Sequence, residues 1–142
     1  MTDQPTLGIT VRLAADYPTA IARTTEALRT EGFGVLTEID VRETLKQKLD
    51  VDFRPYKILG TCNPVLAHRA LSIAPQIGLL LPCNVTVSYV ADNLTEVSFV
   101  DPLAMMGVMA HAELAPIAAE ARAKFERVAA LLTAQHADVK GA

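Results

Sequence analysis

The chain has 142 residues, 51% apolar and 20% charged, a composition that builds one folded domain over 1–142 and excludes a disordered or low-complexity protein. A net charge of −3 argues against a nucleic-acid partner recruited by phosphate charge. The apolar run Ile77–Leu81 is far too short to cross a bilayer, so no membrane partner is expected either.

Residues 1–6 are polar and expected to fray, leaving a core of about 7–135. They lack the basic start and apolar run of a signal peptide, so a cytoplasmic location is the expectation. Leu7–Leu13 alternates apolar and polar residues and predicts a strand. Asp16 as N-cap, Pro18 in the first turn and Ile21, Thr24 and Leu28 at helical spacing predict a helix over 17–31, closed by Gly32. Phe33–Ile39 predicts a second strand with Phe33, Val35 and Thr37 on one face and Leu36 on the other. Val41, Leu45 and Leu49 at four-residue spacing predict a short surface helix whose Arg42, Lys46 and Lys48 form a solvated basic face.

Tyr56–Leu59 predicts a strand ending at Gly60, and Asn63 and Pro64 are the N-cap and first residue of a helix to Ile73, stopped by Pro75. Val85, Val87 and Tyr89 alternate with polar residues, Asp92-Asn93 makes a turn, and Thr95–Val100 returns, giving a hairpin. Asp101-Pro102 opens a helical turn through Val108. Leu114, Ile117, Ala121, Phe125, Val128 and Leu132 step at three and four, predicting a long helix from about Glu113, with a loose polar tail from His136. This order of elements predicts an α+β sandwich of two layers. No G-x-G-x-x-G or phosphate-binding loop follows a strand, and no cofactor is identifiable from a motif.

The two cysteines, Cys62 and Cys83, carry the chemistry that the residues allow. In a cytoplasmic protein such thiols are expected to be reduced. Cys62 precedes a predicted helix start, where backbone N–H groups favour thiolate, and Gly60 beside it would admit a ligand or another backbone. Cys83 begins a strand after Pro82 and could face the core or the rim. The cysteines are too far apart for a C-x-x-C motif, yet both lie at strand ends. If they meet in space, the pair could bind a soft metal ion or cycle between dithiol and disulfide. Met105, Met106, Met109 and His111 form a second set of soft donors, for which core packing is the plainer reading. His68 is expected to point away from Cys62, and Asp40 and Asp101 end strands, where they also make good helix caps.

The blocks GFGVLTEIDV at 32–41, LKQKL at 45–49, YKILGTCNP at 56–64, GLLLPCNV at 78–85 and VSFVDP at 97–102 resemble the domain-of-unknown-function 302 family, DUF302. The likeness covers about residues 10–132. It implies a fold similar to the TATA-binding-protein type, a curved, mainly antiparallel sheet backed by helices, and a homodimer. It brings no established reaction. By position, Asp40, Lys48, Gly60, Cys62, Asn63, Pro64, Pro82, Cys83 and Asn84 match the family's motif residues.

Three readings remain open on sequence. The first is a domain binding a small molecule or a soft metal ion at a site that includes Cys62, Asn63 and Cys83, with Gly60, Asn84, Asp40 and Lys48 as further ligand-binding candidates. The second is a thiol enzyme with Cys62 as nucleophile and Cys83 as resolving partner. The third is an interaction module with buried, inert thiols.

Overall fold

The structure, a computed structural model, describes residues 7–141. The polar start expected to fray, residues 1–6, lies outside them. The chain forms β1 (Gly8–Leu13), α1 (Tyr17–Thr30), β2 (Gly34–Asp40), α2 (Val41–Leu49), β3 (Tyr56–Cys62), α3 (Pro64–Ile73), a 3-10 stretch (Pro75–Leu80), β4 (Cys83–Ala91), β5 (Leu94–Val100), α4 (Pro102–Met106), two 3-10 turns, and α5 (Ala115–Gly141). The long helix continues past His136, where a loose tail was expected, because no proline or glycine interrupts it after Pro116 until Gly141.

The five strands lie in the order β1-β5-β4-β3-β2, every neighbouring pair antiparallel. β2 to β5 follow one another across the sheet, and β1 returns to the far edge beside β5. Helices α1 and α5 pack on one face, so the protein is a two-layer α+β sandwich, as the element order predicts. The opposite face, away from α1 and α5, presents Thr10, Ser98, Thr86 and Ile58 in adjacent strands.

Local chemistry fixes the joints. Gly32 takes φ +84°, and the N–H groups of Gly32 and Phe33 donate back to the carbonyls of Arg29 and Leu28 at 3.0 Å each. This closes α1 with a left-handed residue that glycine adopts without strain. Asp16, Asp40, Asn63 and Asp101 each cap the helix that follows them.

Strand β2 departs from simple alternation. A bulge between Val35 and Thr37 shifts the register, so Val35 pairs with Thr61 while Thr37 pairs with Gly60. Val35 therefore keeps the helix-covered face, and Thr37 turns to the open one, against the shared face expected from spacing.

The interior has two parts. Under the sheet, Phe99, Phe125, Leu13, Leu28 and Val85 form the main core, with Phe33 stacked on Phe125 at 4.4 Å between ring centroids. Beyond one end of the sheet, α3, the 3-10 stretch, α4 and the first half of α5 enclose a second cluster that includes Leu66, Ala70, Ala74, Ile77, Met106, Ile117, Ala118 and Ala121. Helix α5 runs through both.

Candidate functional site

Strand pairing brings the two cysteines together. Cys62 is the last residue of β3 and Cys83 the first of β4, and Thr61 pairs directly with Cys83. The Thr61 hydroxyl donates to the Cys83 carbonyl at 2.8 Å, fixing this end of the strand pair. Cys62 pairs with Gly34 on its other side, a residue around whose missing side chain nothing lies within 4 Å. Both cysteines are free thiols.

Both line a single cavity of about 300 Å³ at the seam between the two parts of the interior. Phe33, Leu36 and the strand ends close one side, Leu66, Ala67, Ala70 and Leu71 of α3 another, and Met106, Ile117 and Ala121 of α4 and α5 the base. Cys83 is 7% exposed and belongs to the wall, whereas Cys62 is half-buried. Leu36, 66% exposed, is the bulged residue of β2. It joins Leu71 as an apolar side chain that both lines the cavity and meets solvent.

The walls are electrically quiet. No charged side chain is among the residues that line the cavity. Asn63 accepts from the Leu66 N–H at 3.3 Å and donates to the Glu31 carbonyl at 3.1 Å, so both ends of its amide serve the fold. Burial, with the neighbouring Cys62 adding to it, pushes the Cys83 thiol from 9.0 up to about 11, and the group is a neutral S–H near neutral pH. Among the described residues, no three His, Cys, Asp or Glu side chains cluster as a metal-holding group.

The other expected site residues separate from this cavity. The space beside Gly60 is filled by the protein itself: a Cβ there would sit 2.2 Å from Thr37 Oγ1 and 2.9 Å from the Pro82 ring. Glycine is needed for that close approach, and neither a ligand nor another backbone takes the place. Asn84, paired with Gly60, is exposed on the open sheet face and lines a shallow groove with Thr86 and Ser98. Asp40 lies at the opposite end of β2 from Cys62's partner Gly34, where it caps α2 by accepting from Glu43 N–H at 3.0 Å. Lys48 is exposed on that helix. His68 is exposed on α3 and absent from the cavity lining. In the methionine cluster, Met105, Met106 and Met109 pack against the second core region, while exposed His111 accepts from the Glu113 N–H through Nδ1. Met106 alone of the four reaches the cavity.

Sequence reasoning missed most of the lining. Phe33, Leu36, Leu66, Leu71, Ile117 and Ala121 carry no chemical motif. The available signal was the small residues Ala67, Ala70 and Ala121 on two helices that face one another, since small side chains leave room. The bulge that turns Leu36 to the mouth had no such signal.

Comparison with known proteins agrees with this architecture. No functionally curated protein matches the chain. The crystal structure of an uncharacterized conserved protein DUF302 from Bacillus stearothermophilus superposes with a TM-score of 0.79 at 34% identity, covering 91% of this chain and 98% of that one. The family model described as domain of unknown function DUF302 matches residues 9–132. This chain therefore belongs to the DUF302 family.

Proposed function

We propose that the protein is a ligand-binding domain whose site is the seam cavity, with Cys62 at its mouth and Cys83 in its wall. The observation that carries this reading is a space of about 300 Å³ that reaches both free thiols between two separately packed regions. Small-molecule sites favour such concave, mostly apolar places. Asn63 serves by holding α3 in place, and Gly60 by seating Thr37 and Pro82. Asp40, Lys48 and Asn84 take no part in it.

The thiol-enzyme reading is the weaker one. A resolving cysteine attacks as thiolate, and Cys83, held near 11, stays protonated in the interior. We place the protein in a reducing, cytoplasmic setting on its two free thiols, and no helix among the described residues is long and apolar enough to cross a membrane. We also propose that two copies associate through the open sheet face, on which Tyr56 and Ile58 lie along β3. Sedimentation equilibrium checks this second point, and a single-chain mass at tens of micromolar would remove it.

Thermal unfolding in the presence of Cu(I), inorganic sulfide and uncharged aromatic fragments tests the site, because a ligand of the native state raises Tm. At least one probe should raise Tm of the native chain and leave that of Ala67→Phe, which plugs the cavity, unchanged. Equal shifts in both chains, or none in either, contradict the reading.

A further inference from the structure

We infer that the ligand of this cavity is an uncharged, hydrocarbon-like organic molecule larger than benzene and up to about twice its bulk, such as a fused pair of aromatic rings. The inference rests on the ligand-binding reading above and gives that site its chemical class. Size is the first argument. An apolar cavity of about 150 Å³ stays dry and takes up benzene, and the space here is about 300 Å³.

Wall chemistry is the second argument. Thr61 and Asn63, the polar members of the lining, direct their side chains to backbone partners. What faces the space is alkyl, aromatic and sulfur surface with no charged side chain. An ion entering it would shed water and gain no counter-charge. The rim adds a third argument. Leu36 and Leu71 line the cavity while partly in water, and an apolar occupant would dry them.

A cuprous ion is the main rival, because Cys62, Cys83 and Met106 supply soft sulfur donors. Among the described residues, however, no third His, Cys, Asp or Glu joins the two cysteines as a metal-holding group. The inner thiol also keeps its proton near neutral pH. Polarizable sulfur at a cavity wall suits the edge of an aromatic ring equally well.

Equilibrium titration with naphthalene, naphthalene-2-sulfonate and Cu(I) separates the cases, with naphthalene fluorescence readable because the chain has no tryptophan. Naphthalene should bind saturably at one per chain, and the sulfonate at least about tenfold more weakly, since its charge must be desolvated. Ala67→Phe should abolish naphthalene binding. Should that variant fail to fold, Leu36→Asp at the exposed rim should weaken it several-fold. Sulfonate binding as tight as naphthalene overturns the class and leaves the ligand-binding reading standing. So does Cu(I) binding that is lost in Cys62→Ser and Cys83→Ser while naphthalene is ignored. Naphthalene binding indifferent to both cavity variants overturns the site, and no binding of any probe overturns class and reading together.

Discussion

The two parts of the interior are packed on different terms. Under the sheet, aromatic rings touch one another: Phe125 stacks on Phe33 at 4.4 Å and meets Phe99 at 5.6 Å between centroids. Beyond the strand ends, the second cluster has no aromatic ring and mixes Leu66, Ile77, Leu114 and Ile117 with alanines 70, 74, 118 and 121, and Met106 is its flexible filler. Large rings interdigitate and leave no room, whereas small side chains on α3 and α5 cannot fill the space between their helices. The cavity with both thiols lies where these two kinds of packing meet. The first part holds the fold, and the second leaves it a usable void.

The heaviest blow to that contrast is aimed at the first part. Phe125→Ala removes the ring shared by two aromatic contacts and should destabilise the protein by about 3–5 kcal/mol in urea unfolding. A cost near 1 kcal/mol would mean that the main core is less tightly packed than described.

Alkaline pH probes the seam itself. Cys83 has its folded-state pKa raised from 9.0 to about 11, so its protonated form is favoured by folding. Its contribution is complete below pH 9 and is lost as pH rises from 9 toward 11, because the unfolded chain releases that proton first. The loss should be on the order of 2 to 3 kcal/mol, and Cys83→Ala should flatten this part of the stability curve. An unchanged slope in the variant would show that the thiol is not buried as an S–H.

A matched pair of substitutions sharpens the comparison further. Ala27→Leu in the main core should cost about 1–3 kcal/mol through overpacking, because Ala27 is 2% exposed among filled neighbours. Ala121→Leu, equally buried but facing the void, should cost less than about 1 kcal/mol. Equal costs would erase the distinction between the two regions. A modest effect also belongs to the tie between them. Asn63→Ala loses the α3 cap and the bond to the Glu31 carbonyl, and should cost about 1 kcal/mol.

Much of the architecture could be read from the residues, because local rules set it. Asp16, Asn63 with Pro64, and the left-handed Gly32 mark helix ends by their own chemistry, and the structure uses each as expected. Alternation in β4 and β5 correctly gave the hairpin. The strand-end positions of Cys62 and Cys83 are also legible, and pairing of β3 with β4 makes the two neighbours. What could not be read was anything decided by non-local packing. The bulge at Leu36 turns Thr37 over Gly60, so the glycine that looked like an opening for a ligand is closed by a threonine and a proline. Asp40, and Asn84 beside Cys83, match family motif positions but are taken to the far end of β2 and to the open face by strand direction and pleat. The cavity depends on buried alanines too small to fill the space beside them, and such a shortfall of volume leaves no periodic pattern in a sequence.

The central claim is that an apolar ligand occupies the seam with Cys62 at its mouth and Cys83 sealed in its wall. Cysteine-resolved alkylation of the native protein by iodoacetamide, with and without saturating naphthalene, tests it most directly. Cys62 should be modified and Cys83 should not, and naphthalene should slow the reaction at Cys62. Ready modification of Cys83 in the folded protein, or a Cys62 rate indifferent to naphthalene, would contradict it.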